Sequence, residues 1–193
     1  IALTDGRRLI WAEAFGVIDK ASNQRAQTST LFCIGSCSKV VAAAAVMILV
    51  DRRKLQLDAP VVRYLPEFKM ASPEFRLVTV RMLLNHASGF PGTNYRNSFT
   101  SAPHAGYQDE TMEALKGLRL KHRPGEFSVY CNDGFTVAER LISRVARQSY
   151  PDFVTQVLLR PLGMTRSRYA VRAFPDGSYA PGYRGDVRQI GRA

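Results

Sequence analysis

Apolar residues run unbroken from Val40 to Val50, with nothing more polar than alanine between them. A run of that length predicts a helix rather than a strand, and one apolar on nearly every side predicts a buried central helix. Further on, Val80, Leu83 and Leu84 make an apolar stripe behind Thr79, a good N-cap, with Gly89 as a stop signal. Residues 110–120 fit a helix. Residues 135–147 set Val137, Leu141, Ile142 and Val145 at helical spacing, with Arg140, Arg144 and Arg147 on the wet side. Residues 151–159 form another, closed by Pro161-Leu162-Gly163-Met164. Asp58 ahead of Ala59-Pro60 predicts an N-cap for a short helix through Tyr64 that ends at Pro66.

The strand signals are fewer. Residues 1–17 predict a hairpin turning at Asp5-Gly6, with Leu9, Trp11 and Phe15 roughly alternating. Residues 19–30 are polar and read as a loop with a short turn. Residues 90–107, rich in Gly, Pro, Asn and Ser, read as a long loop, the kind that often rims a functional site. Pro124-Gly125 is a turn, and Phe127 and Val129 suggest a short strand. Tyr130 and Asn132 then fall on an exposed turn before the next helix. From Thr165 the pattern is strand-like and loop-like, punctuated by Gly177, Gly182, Gly185 and Gly191. There is no internal repeat.

A length of 193 residues suits one domain, and 46% apolar content is enough for a real core. No apolar run reaches membrane-spanning length. The chain starts at Ile1, without a basic segment and apolar stretch of the leader type. Compartment therefore stays open. The formal net charge is +11, but the basic residues are scattered, and the one tight cluster is Arg52-Arg53-Lys54. Those cations sit where the main helix ends and complement its dipole. This argues against nucleic-acid binding. Cys33, Cys37 and Cys131 leave at least one thiol unpaired, and no Cys/His spacing fits a metal. Buried thiols or a cytosolic setting is the simpler reading, and no metal or organic cofactor is expected.

Candidate chemistry changes the picture at Ser36 and Lys39. A buried helix has little use for a Lys in its first turn, where the dipole disfavours positive charge. Three-residue spacing puts its amine and the Ser36 hydroxyl on one face, within touching distance. A Lys so held loses its proton more easily, and a neutral amine can activate a serine. Free N–H groups at the helix start could bind an oxyanion. A Ser N-cap followed by a surface Lys is the plain alternative. His86 stands in an apolar patch and reads first as a hydrogen-bonded structural residue, second as a general base. The triplet Tyr130-Cys131-Asn132 offers a phenol that could pass a proton and an amide that could orient a carbonyl.

Joined, S-x-x-K and Y-x-N match two elements of the penicillin-recognising set, whose third is a K-T-G strand. The chain resembles the serine beta-lactamase family of the class C type, which includes D-alanyl-D-alanine carboxypeptidases and related esterases. The matching stretches are T-L-F-C-I-G-S-C-S-K, L-Q-L-D-A-P-V-V-R-Y-L-P-E-F, V-T-V-R-M-L-L-N-H-A-S-G-F, P-G-E-F-S-V-Y-C-N-D-G-F and L-L-R-P-L-G-M-T, in family order. The resemblance implies an α+β fold, an α/β sandwich with a helical lobe, of the beta-lactamase/transpeptidase type. It implies acyl transfer through a serine ester. Ser36 would be the nucleophile, Lys39 its activating partner, Tyr130 the proton relay, and Asn132 a contact to the substrate amide and to Lys39. Whether Lys39 or Tyr130 is the primary base stays open. Cys37 and Cys131 stand where small or hydroxyl residues are expected.

A K-T-G or H-x-G strand is not found, and Lys116-Gly117 lies inside a helix ahead of Y-x-N. The expectation is a partial domain, incomplete at its C-terminal side. It divides into a hairpin plus nucleophile helix (1–54), a mainly helical lobe (55–164) and a return to the sheet (165–193). An open sheet edge would invite self-association. The substrate would be a beta-lactam, a D-alanyl peptide or a carboxylic ester, that is, a small molecule or peptide. A lactamase or peptidase would be periplasmic or secreted, and an esterase cytoplasmic. The main rival function is a non-catalytic binding or assembly scaffold of the same fold. A Cys37/His86 thiol hydrolase explains neither Lys39 nor Tyr130.

Overall fold

The computed structural model describes residues 1–93, 105–169, 179–184 and 187–189. Residues 94–104 of the expected rim loop lie outside this set, as do Gly177, Gly185 and Gly191. The described residues form two units: strands from 1–35 and 179–189, and helices between Ser36 and Tyr169. Helices and sheets together make the α+β class that was expected.

In the strand unit, β1 (Ala2–Thr4) and β2 (Leu9–Ala12) are antiparallel, pairing Ala2 with Ala12, Leu3 with Trp11 and Thr4 with Leu9. The Asp5-Gly6 turn forms as predicted. Asp5 Oδ1 accepts from the Arg7 and Arg8 N–H groups, each at 2.9 Å, and Gly6 takes φ +83°. A second hairpin, β3 (Val17–Asp19) with β4 (Gln24–Arg25), replaces part of the expected loop. Its turn is built by Asp19 Oδ1, which accepts from Ala21 N at 2.8 Å and Ser22 N at 3.3 Å. Asn23 follows at φ 54°, a left-handed conformation that Asn tolerates. β5 (Leu31–Phe32) pairs in parallel with β6 (Tyr179–Ala180), and β7 (Gly182–Arg184) is antiparallel to β8 (Val187–Gln189).

In the helical unit, a 3-10 turn at Gly35–Cys37 leads into α1 (Ser38–Asp51). The expectation of burial all round is corrected. Ala42, Ala45, Val46 and Leu49 are buried, but Val40 is 73% and Met47 46% exposed. Asp58 is also not a cap. The segment after it is a 3-10 turn, Val61–Arg63, and the Asp58 carboxylate accepts two hydrogen bonds from the Arg81 guanidinium at 2.7 and 2.8 Å. α2 (Val80–Leu84) starts as foreseen, with Thr79 Oγ1 accepting from Met82 N at 3.3 Å, but it ends well before Gly89. Gly89 is needed for a close approach instead. It lies at φ +80°, and a Cβ there would sit 2.4 Å from the His122 carbonyl oxygen.

α3 (Tyr107–Lys116) and α4 (Asn132–Ala146) follow, then α5 (Tyr150–Val154), capped by Ser149 and continued by a π turn at Thr155–Leu159. The amphipathic α4 organises this unit, packing against α1, α2, α3 and α5. Its inner face buries Val137, Leu141 and Ile142 with Leu49, Leu83, Leu115 and Phe153 in one apolar core. Two of the three predicted arginines are paired rather than merely wet: Arg140 reaches Asp109 at 3.2 Å, and Arg144 reaches Glu67 at 2.5 Å.

Candidate active site

Ser36 sits in the 3-10 turn, and Lys39 is the second residue of α1. Their spacing works as the helical argument requires: Lys39 Nζ donates to Ser36 Oγ at 3.1 Å. Tyr130, 94 positions later, brings its hydroxyl to 2.6 Å from the same Oγ. Both expected partners thus converge on one exposed hydroxyl. The Lys39 ammonium also lies over two rings, 4.9 Å from the Tyr130 centroid and 5.5 Å from that of Phe135. Such cation–π contacts hold the amine in place.

Tyr130 belongs to no strand. The predicted Phe127–Val129 strand does not form; its hydrogen bonds, and that of Cys131, run to Asn85 and His86 just past α2. Val129 N donates to His86 O at 2.9 Å, Ser128 Oγ donates to Asn85 O at 2.8 Å, and Cys131 N donates to His86 Nδ1 at 3.2 Å. Burial raises the Tyr130 phenol, but hydrogen bonds with Lys39 and Ser36, together with the Lys39 charge, outweigh it and hold its pKa below the usual tyrosine value.

Asn132 is the first residue of α4, not part of a preceding turn. Its backbone N–H donates to Thr93 Oγ1 at 3.2 Å. Its side-chain Oδ1 is buried and accepts no hydrogen bond among the described residues, so the expected contact with Lys39 does not take the form of a hydrogen bond to that oxygen. A buried acceptor without a partner is a costly arrangement. Cys131, between the two site residues, is buried, and its thiol donates to Gly92 O at 3.3 Å. Cys33 and Cys37 are free and exposed, against the expectation of buried thiols. The Cys131 thiol is pushed up in pKa, first by burial. Thr93, Gly92 and Phe135 were not singled out from sequence; nothing in their local pattern sets them apart. Among the described residues no group of His, Cys, Asp and Glu could hold a metal ion, and no helix is long and apolar enough to cross a membrane.

A family model described as beta-lactamase matches residues 1–193, the whole chain. The chain belongs to the beta-lactamase family. Among its relatives, penicillin-binding protein 4* of Bacillus subtilis is 30% identical over 195 residues, covering 97% of this chain and 42% of that protein. A class C beta lactamase structure superposes with a TM-score of 0.80 at 28% identity, covering 97% of this chain and 50% of that one. An octameric penicillin-binding protein homologue from Pyrococcus abyssi gives a TM-score of 0.80 at 26% identity, with 97% and 45% covered. The beta-lactamase-type fold is therefore the fold of this chain. The chain spans about two fifths of the length of the curated relatives it matches.

Proposed function

We propose that this member of the beta-lactamase family is a serine hydrolase that forms an acyl-enzyme through Ser36. The observation that carries the reading is the convergence of Lys39 Nζ and Tyr130 Oη on Ser36 Oγ. With an N–H of Lys39 donated to Oγ, the hydroxyl proton of Ser36 is directed at Tyr130. Tyr130, whose phenolate form is favoured by the same neighbours, accepts that proton as Oγ attacks the acyl carbon and becomes the neutral phenol. The bond from carbon to the leaving nitrogen or oxygen then breaks, and Tyr130 returns the proton to the leaving group. Water later attacks the ester carbonyl, its proton passes to Tyr130 and back to Ser36 Oγ, and the carboxylic acid leaves. Lys39 keeps the phenolate charge compensated through each cycle. Asn132, whose buried Oδ1 has no partner among the described residues, offers that oxygen to a substrate amide N–H.

The substrate is a beta-lactam, a D-alanyl peptide or a carboxylic ester, all acyl donors that this chemistry accepts. The exposed β1–β2 ribbon, which carries Leu3, Leu9 and Ile10, supports self-association along an open strand edge.

The test is covalent labelling by a fluorescent penicillin and by a fluorophosphonate, with mass spectrometry to place the adduct. Label on Ser36 that disappears in Ser36→Ala supports the proposal. No label, from this chain or from a longer form containing it, refutes it and favours a non-catalytic scaffold.

A further inference from the structure

His86 is left over by this mechanism, yet it makes two hydrogen bonds and a ring contact to the Tyr130 segment. Its backbone is left-handed, φ 61°, an unusual conformation for a residue other than glycine. That conformation turns two acceptors of one residue toward the same strand of chain. The carbonyl takes Val129 N–H at 2.9 Å, and ring Nδ1 takes Cys131 N–H at 3.2 Å. Between these two anchors stands Tyr130, whose ring packs on the imidazole with centroids 4.6 Å apart and planes tilted 38°. The imidazole also meets Phe135, at 5.3 Å between centroids, the ring that faces the Lys39 ammonium.

A backbone N–H can only donate. Nδ1 must therefore carry a lone pair, which assigns the proton of the neutral ring to Nε2. A protonated imidazole would put an N–H against the Cys131 N–H and break the anchor. We infer that His86 is a positioning residue, whose neutral imidazole clamps the Val129–Cys131 segment and so fixes the Tyr130 hydroxyl on Ser36. The inference rests on the acyl-transfer reading of that hydroxyl for its catalytic meaning, though not for its geometry.

The ionisable groups facing the ring agree with a neutral state. Lys39 on α1 presents a positive charge, while Tyr130 and Cys131 on the clamped segment are a phenol and a buried thiol. Burial first, and the Lys39 charge second, lower the His86 pKa below its usual value, against a smaller opposing effect of the Cys131 hydrogen bond. The clamp is thus intact at neutral pH and is lost as pH falls through that depressed value. Acid inactivation through His86 is the consequence.

The experiment uses two variants. His86→Asn keeps an acceptor oxygen near the Nδ1 position, tolerates the left-handed backbone and cannot titrate. His86→Leu keeps bulk and loses the acceptor. Fluorophosphonate labelling of Ser36 is followed from about pH 8 down to about pH 4, with melting curves to verify folding. His86→Leu should label more slowly at every pH, on the order of 10- to 100-fold, as expected for a misplaced catalytic group. His86→Asn should recover most of the rate and lose the extra acid step that His86 protonation adds in the wild type to the fall set by Tyr130. Folded His86→Leu labelling at the wild-type rate, with the wild-type acid limb, would overturn the inference and leave the acyl-enzyme reading untouched. A wild type that never labels sinks the acyl-enzyme reading instead. The clamp is then judged by NMR alone. A neutral Nε2–H tautomer, with the Cys131 amide and Tyr130 ring resonances moving as His86 titrates, supports it, and resonances that stay still refute it.

Discussion

Replacing Tyr130 by phenylalanine removes one oxygen and leaves the rest of the ring environment in place. The ring keeps its contact with His86 at 4.6 Å and with the Lys39 ammonium at 4.9 Å. The oxygen it loses stood 2.6 Å from Ser36 Oγ, where the proton of the attacking hydroxyl must go. Among the described residues Lys39 Nζ, at 3.1 Å, remains as the partner of Oγ and already donates to it. The loss is therefore that of a general base, typically ~100- to 10,000-fold in rate. Stability should move little, by no more than about 1 kcal/mol, because Tyr130 is 52% exposed and its hydroxyl bonds are open to water. The assay is the second-order rate of Ser36 labelling by a fluorophosphonate, wild type against Tyr130→Phe, with matched melting curves. A well-folded Tyr130→Phe that labels within about threefold of wild type would refute the proton-relay role. The double variant with Lys39→Ala adds a check. Two groups acting on one hydroxyl should cost much less together than the product of their separate losses.

The same pair sets a pH dependence. The Tyr130 pKa is held below its usual value of 10.0 by Lys39 and Ser36, so the labelling rate should rise with pH to a plateau whose midpoint lies below that value. Lys39→Ala removes effects that lower it, so the midpoint should move upward in a pH-rate profile. Gly89→Ala must hold a Cβ at φ +80°, 2.4 Å from His122 O, which should cost at least about 1–3 kcal/mol and lower the melting temperature. Leu141→Ala, at a fully buried position of α4, should cost about 2–5 kcal/mol by denaturant titration without abolishing labelling of the folded fraction.

The parts of the fold that were legible in the sequence are those whose causes are local. Asp5-Gly6 makes its own turn, Thr79 caps its own helix, and the period of Val137, Leu141 and Ile142 defines α4. Asp58 misled because its partner, Arg81, is 23 residues away and outcompetes the helix end it precedes. The β3–β4 hairpin was missed because strands of two or three residues carry no alternation; only Asp19 and Asn23 signal it. α1 looked buried all round since alanines fill its faces alike, and composition does not say which neighbours cover them. At the candidate site, Ser36 and Lys39 could be joined by spacing alone. Tyr130 could be added only by family likeness, because no local rule spans 94 residues. His86 was correctly favoured as a hydrogen-bonded residue, but its two acceptor roles depend on a backbone twist that no pattern announces.

Three tethers assemble the candidate centre, and they close loops of unequal size. His86 to Cys131 spans 45 positions, Ser36 to Tyr130 spans 94, and the hydroxyl of Tyr169, which donates to Ser38 O at 3.1 Å, spans 131. By loop-closure entropy the longest costs only about 1 kcal/mol more than the shortest, so equilibrium stability barely registers the difference. Kinetics does, because contacts remote in sequence slow the search for the native state. Reactivity should accordingly be the last property to return during refolding from denaturant, trailing the far-ultraviolet circular dichroism of helices that need no such reach. A nascent or half-folded copy would carry every helix and still be chemically silent.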